Sequence, residues 1–296
     1  MQQTALRLER GYCGRLGWSL VLTNVLMLVW QLWLTWQMLA GNLLGGMDAY
    51  MLLTLVGYYL PALPLAFWLC RKIPVPPRTR RPFSVRRLGR WLVIGIGLMW
   101  FGSLVGDWLS DLVFRVAMLE PVDLVTEAIS EMPLSVVLLG GCILGPLFEE
   151  VLFRGLLAGR LARYGQKPAA FVSALLFGLY HANLSQFCYA FLLGLLLAYA
   201  HFYTGTLKMP VLLHILINLY GSFVVFLLPE RGLLPLLYAL SWPVLAIAAV
   251  VLLVRGRKKQ VWEHGPCAPS MRAVFINVGM TAAIVFFFVE TALMYV

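Results

Sequence analysis

Charge is what this sequence has least of. Only 12% of its residues are Asp, Glu, Lys or Arg, about half the share usual in soluble domains. Against that stand 61% hydrophobic residues and a mean hydropathy of +0.84. A water-soluble globule of this composition would lack the polar surface to cover itself. Long polar linkers are also missing, which points to one membrane domain, residues 1–296, rather than several. The 5 cysteines (Cys13, Cys70, Cys142, Cys188, Cys267) are scattered, odd in number and without a CxxC, so no disulfide framework or zinc knuckle is implied. No small-residue cleavage site follows a short apolar core near the start. "MQQTALRLERGYCGRLG" therefore reads as the lead into a retained first span rather than a cleaved signal peptide.

What is present is a series of apolar runs. They fall near residues 16–40, 50–70, 91–113, 134–158, 168–184, 186–203, 210–229, 234–254 and 273–295. A membrane span needs about 20 apolar residues, and two of the runs are short. The expectation is an all-α, multi-pass transmembrane helical bundle of eight or nine spans. The net charge of +10 could suggest nucleic acid, but its distribution argues against it. The loop "RKIPVPPRTRRPFSVRRLGR" at 71–90 has eight Lys/Arg and no acid, and loop 159–167 carries Arg160, Arg163 and Lys167. Segment 255–259 reads "RGRKK", whereas 114–133 carries Glu120, Asp123, Glu127 and Glu131 against Arg115. Alternating spans put every basic loop on one face, as cytoplasmic loops are. The chain is expected in the cell membrane with a cytosolic N-terminus and no nucleic-acid partner. The prolines within 74–82 mark that loop as an extended linker. No internal repeat is visible.

An ionisable residue inside a span costs at least about 2.5 kcal/mol at the bilayer centre and is a functional hypothesis by default. Glu149, Glu150 and Arg154 lie on the fourth run, His181 on the fifth, and His214 with Asn218 on the seventh. Glu150 and Arg154 are four apart, share a helix face and can pair. Glu149 points about 100° away and needs another partner. With the turn centred at Gly165, Glu149 lies 16 residues before it and His181 16 after it. An antiparallel hairpin would carry the two at one level, a general-base arrangement. His214 and Asn218 share a face and can supply donors where an oxyanion develops. Pro146, with Gly145, loosens the helix just before the glutamates.

Plainer readings exist. Glu150 with Arg154 could be a structural ion pair alone, His181 an interface histidine, and His214 a cap on a neighbouring span. Asn183 and His201 read as interfacial, and Asp107 and Asp111 as solvated near an outer helix end. The joint occurrence outweighs these: two glutamates, two histidines and an asparagine on three spans, in a chain with 4 histidines.

At these residues the sequence resembles the CPBP family, the CAAX proteases and bacteriocin-processing enzymes also called Abi proteins. That family carries E-E-x-x-x-R, F-x-x-x-H and H-x-x-x-N. Here they read Glu149-Glu150-x-x-x-Arg154, Phe177-x-x-x-His181 and His214-x-x-x-Asn218, in the same order. The match covers about residues 140–225, inside a CPBP-like catalytic core expected over 134–229. The resemblance implies an intramembrane endopeptidase acting on a membrane-associated or lipidated protein or peptide. Its roles would be CAAX-type processing near a C-terminus, bacteriocin or signal peptide maturation, or immunity. It implies that Glu149 and His181 activate water, that His214 and Asn218 stabilise the oxyanion, and that Glu150 and Arg154 support them. Members are sometimes called metalloproteases, but no HExxH occurs. His181, His214 and Glu149 could form a His₂Glu set. The reading taken here is metal-free, with no cofactor.

Two other functions fit the composition. A non-catalytic membrane partner could bind a peptide or regulate a sensor protein, but such a relative is expected to have lost a motif residue, and none is missing. A transporter would favour broken helices in paired repeats, which are not visible. One feature sits awkwardly: His214 is four residues after Pro210, near the start of its span, whereas Glu149 lies about 24 Å from its loop centre at ~1.5 Å per residue. The levels agree only if the hairpin projects from the membrane or loop 203–209 dips into it.

The loop charges generate a test of topology. A cysteine introduced within 78–87 should stay unlabelled by an impermeant thiol reagent added to intact cells, and one within 115–131 should react. Labelling of the first from outside would reject the orientation.

Overall fold

The computed structural model describes residues 2–43, 46–118, 132–256, 262–265 and 274–293. All regular structure among them is helical. In chain order the helices are α1 (Gln2–Leu39), α2 (Gly46–Tyr59), α3 (Ala62–Cys70), α4 (Val85–Ala117) and α5 (Leu134–Tyr164). They continue as α6 (Gln166–Tyr180), α7 (Leu184–Thr204), α8 (Lys208–Leu227), α9 (Leu233–Gly256) and α10 (Val278–Leu293).

Six described helices, α1, α4, α5, α7, α8 and α9, are long and apolar enough to cross a membrane, and α10 is a shorter apolar one. Two of the apolar runs do not form a single helix long enough to span, for local reasons. The run at 50–70 breaks at Leu60–Pro61 into α2 and α3, because proline has no N–H to continue a helix and clashes with the preceding turn. The run at 168–184 yields α6, of 15 residues. At 1.5 Å per residue that is about 22 Å, short of a ~30 Å hydrocarbon layer. The outer surface suits a bilayer. Along α9 only Ala249 is buried, and Leu233, Leu237, Leu240, Val244, Ile247 and Val250 face outward. A continuous apolar surface of that kind is rare on a soluble monomer. This is an all-α, multi-pass membrane protein.

Two apolar cores hold the helices. The first joins α1, α3, α5, α6 and α10 through Leu16, Leu20, Ala66, Phe153, Leu176 and Phe287. The second joins α4, α7 and α8 through Trp91, Ile94, Leu196, Leu197, Leu213 and Ile217. α7 is their shared wall, giving Ala190, Ala198 and Phe202 to the first and Leu193 and Ala200 to the second.

Among the described residues, the basic loops at 71–90 and 159–167 lie at one end of the bundle. Arg81 N–H donates to Thr204 O at 3.0 Å, so the extended linker 74–84 lies against the end of α7. Arg78 on that linker meets His201, whose Nδ1 donates to Thr206 O at 3.1 Å. His201 is therefore buried, packed beneath the linker at this end of the bundle. Burial, then the like charge of Arg160, holds the Arg78 guanidinium below its ordinary pKa. The α5–α6 turn is at the same end, at Gly165 as expected, with φ +112°, a conformation that glycine alone adopts without strain. Residues 262–265 clasp this turn: Gln166 N–H donates to Glu263 O at 3.1 Å, and its side chain exchanges bonds with Glu263. The acidic residues of loop 114–133 fall in 119–131, and most of segment 255–259 falls in 257–261; both lie outside the described residues.

Close approach of α4 and α7 depends on Gly102 and Gly106, a G-x-x-x-G pair. A Cβ on Gly102 would lie 2.4 Å from Tyr189 Cα, and one on Gly106 2.2 Å from Ser185 O. Small residues at this spacing let membrane helices touch backbone to backbone. Gly106→Ala should lower stability by about 1–3 kcal/mol, the scale of overpacking, whereas Gly89→Ala, with open space around it, should not destabilise. Thermal unfolding in detergent checks both; equal behaviour would remove the crossing from its role.

Candidate active site

The polar residues singled out in the sequence meet at the seam between the two cores. Glu149, Glu150 and Arg154 come from α5, His181 from the end of α6, and His214 with Asn218 from α8. The levels of His214 and the glutamates match, so the two sides of the awkward depth estimate are reconciled in the fold.

α5 is not a uniform α-helix here. It widens to π-type i→i+5 turns over Val137–Leu144 and again over Val151–Ala158, flanking the α-helical Gly145–Glu150. Gly145 N–H bonds to Gly140 O, and Gly159 N–H reaches Arg154 O. Pro146 offers no N–H, so the loosening expected before the glutamates has a definite form. α8 widens in the same way at Leu219–Phe223, directly after Asn218. Such turns concentrate at functional sites, because each extra residue rotates the rest of the helix onto another face. Ser173 Oγ donates to Phe153 O at 2.9 Å and satisfies a carbonyl in the second wide stretch.

Glu150 is the hub. Its Oε1 is 2.9 Å from Arg154 Nη1 and accepts from His214 Nδ1 at 3.0 Å. Both Glu150 and Arg154 are wholly buried. Arg154 also donates from Nη2 to Gly194 O at 3.3 Å on α7, and its guanidinium lies 4.3 Å from the Phe177 ring centroid on α6. The pair expected within one helix therefore also binds three other helices together. A reading as an isolated structural pair misses His214.

The histidines are each fixed through Nδ1. His181 Nδ1 donates to Phe177 O at 2.8 Å, leaving Nε2 as its free nitrogen. His214 Nδ1 donates to Glu150, leaving Nε2 toward Glu149 Oε2 at 3.8 Å. The hairpin count pairs Glu149 with His181. In the structure Glu149, His214 and Arg154 all lie within electrostatic range of His181, but the ring that Glu149 approaches within 4 Å is His214. The cause is that His181 turns back onto its own helix. Asn218 Nδ2 donates to Gly141 O at 3.0 Å, in the first wide stretch of α5. Its amide keeps a second N–H.

Three kinds of contributor escape a reading of the sequence. Phe177 is spelled out in the second motif, but its carbonyl and ring roles are not visible in that spelling. The carbonyls of Gly141 and Gly194 have no side-chain signature at all. Tyr189, with its ring centroid 6.4 Å from that of His181, stands in an apolar run with nothing to mark it. Asn183 caps α7, its Oδ1 accepting from Gln186 N–H at 3.2 Å. Among the described residues no three His, Cys, Asp or Glu side chains converge as a metal-binding set. The His₂Glu alternative does not fit these donors, and no step is routed through a metal.

The hub makes a stability prediction. Arg154→Leu leaves the Glu150 carboxylate without its cation and should cost about 3–5 kcal/mol, the scale of a broken buried pair. The double variant Glu150→Gln/Arg154→Leu should recover part of that loss in the same unfolding assay. A simple sum of the two single losses would mean that the groups are not coupled.

Comparison with known proteins bears on the same segment. Residues 131–220 match the family model for type II CAAX prenyl endopeptidase Rce1-like proteins. A curated protein of Bacillus subtilis (strain 168), named "Putative membrane peptidase YdiL", is 24% identical over 149 residues. That alignment covers 49% of this chain and 60% of the relative, so the chain spans under two thirds of that protein's length. No solved structure matches. The resemblance carried by the three motifs is borne out: over residues 131–220 this chain is similar to the Rce1-like CAAX prenyl endopeptidases.

Proposed function

We propose that the protein is an intramembrane endopeptidase that cleaves a peptide bond in a membrane-associated or lipidated substrate. The observation that carries this reading is the network of Glu149, Glu150, Arg154 and His214, with His181 in electrostatic range, two carboxylates beside two oriented imidazoles. The finer assignment, cleavage near the C-terminus of a CAAX-type substrate, rests on the family match. The maturation and immunity roles have no geometric support of their own.

The proposed mechanism uses this chain's own groups. A substrate water attacks the scissile carbonyl carbon. It gives one proton to the Glu149 carboxylate and directs its other toward His181 Nε2, the nitrogen left free by the bond to Phe177. The oxyanion formed is met by Asn218 Nδ2–H and by Nε2–H of His214. Because Nδ1 of His214 already donates to Glu150, a donor at Nε2 requires the doubly protonated ring, whose charge the oxyanion balances while Glu150 balances Arg154. On collapse of the tetrahedral intermediate the C–N bond breaks, and Glu149 returns its proton to the leaving amine. Glu150 thus orients a catalytic ring while it neutralises Arg154, more than a supporting part.

Peptide cleavage in detergent tests this. Glu149→Gln should lower turnover by about 10²–10⁴-fold, the usual worth of a general base, and more than Glu150→Gln, with folding intact. Asn218→Ala should cost about 10²–10³-fold, as a lost oxyanion donor does. Equal and mild losses for both glutamates would take Glu149 out of its role. Activity abolished by a strong chelator and restored by zinc would replace the metal-free mechanism while leaving the hydrolase reading in place.

A further inference from the structure

Away from the site, a cleft of about 260 Å³ opens between the start of α4 and the ends of α7 and α9. Its rim carries Arg87 and Arg90, and its wall Trp91, Tyr199 and Tyr203. Its floor is apolar: Ile94, Leu196, Leu252 and Leu253.

We propose that this cleft binds an anionic phospholipid from the leaflet on the basic side of the protein. The argument begins with charge. Arg87 and Arg90 have no carboxylate within ion-pairing distance among the described residues. Arg90 donates from Nη2 to Leu252 O at 2.9 Å, and the Arg87 guanidinium lies 4.5 Å from the Tyr203 ring centroid. These contacts hold both side chains in place but neutralise neither. Arg81 adds a third guanidinium, 4.2 Å from the centroid of the same Tyr203 ring. The wall also receives Trp262, whose ring centroid lies 5.1 Å from that of Tyr199, and Arg255, beside the lining Gly256, adds a further basic residue, so an occupant of negative charge is favoured. Guanidinium groups bind phosphate oxygens in paired hydrogen bonds, and basic pockets between membrane helices are suited to anionic headgroups.

The floor then selects a lipid over a free anion. Inorganic phosphate has no use for four apolar side chains, whereas an acyl chain does. The α9 wall also belongs to the helix that is exposed along nearly its whole length, and Leu253 at the cleft is itself exposed. The occupant can enter sideways from the bilayer. The cleft is one layer from the active site: Leu196 of its floor and Ile217, next to Asn218, both pack against Gly95. The proposal does not depend on the proteolytic reading.

The test uses the full chain purified in detergent, with native mass spectrometry and thermal unfolding. The probes are phosphatidylglycerol, phosphatidylcholine of the same acyl chains, and inorganic phosphate. Phosphatidylglycerol should form a retained one-to-one adduct and raise the unfolding temperature, and the other two should not. Arg87→Gln/Arg90→Gln should weaken that binding at least about tenfold, the worth of one lost charge-assisted bond. Arg80→Gln, exposed on the same face, should leave it unchanged. Leu253→Trp keeps both arginines and obstructs the apolar end, and it should weaken binding too; it decides the matter if the double variant does not fold. Equal response to the two lipids, a phosphate response matching that of phosphatidylglycerol, an equal loss in Arg80→Gln, or full binding by Leu253→Trp would each overturn the proposal.

Discussion

A carboxylate with no water around it is the constraint on which this structure turns. Glu150 is wholly buried and shares one oxygen between Arg154 and the ring of His214. In a low-dielectric interior an ionised group is tolerated only with partners in good geometry. Partnering this oxygen ties α5 to α8 directly. Through Arg154 it also ties in α7 at Gly194 and α6 at Phe177. The active site and the helix packing are therefore one problem with one solution. A change that improves packing at the expense of this network would misplace His214.

Much of this is legible in the sequence, for specific reasons. Ionisable residues in apolar runs stand out because the bilayer penalises them, so all six motif side chains can be found. Gly165 as the turn comes from the short polar break between two apolar runs, and counting from it carries Glu149 and His181 to one level. The failures have physical causes as well. Which histidine each glutamate meets depends on ring orientation, set by carbonyls that no side-chain pattern records. The wide turns of α5 change which residues share a face, so a count at 100° per residue drifts along it. The burial of His201 is not legible because its partner, Arg78, is 123 positions away on a linker that gives no sign of packing back. The Gly102–Gly106 pair, in contrast, is present in plain spelling and is easily overlooked beside the louder motifs. Apolar length alone does not register a helix break such as that at Pro61, so the runs do not map one to one onto the described helices.

The placement of the site has a mechanical consequence. Each half of the molecule is closed around its own apolar core, and the reacting groups lie where the halves meet. Dense cores resist deformation, so any displacement between the groups of α5 and those of α8 has to be taken up at the boundary between the cores rather than inside either. The Glu149–His214 separation, 3.8 Å, spans that boundary. Two stitches cross it, His214 to Glu150 and Asn218 to Gly141. The second is anchored in backbone already widened by a π turn. The site is thus a joint between two packed bodies, and its alignment is held by the contacts that cross the joint rather than by the interior of either body.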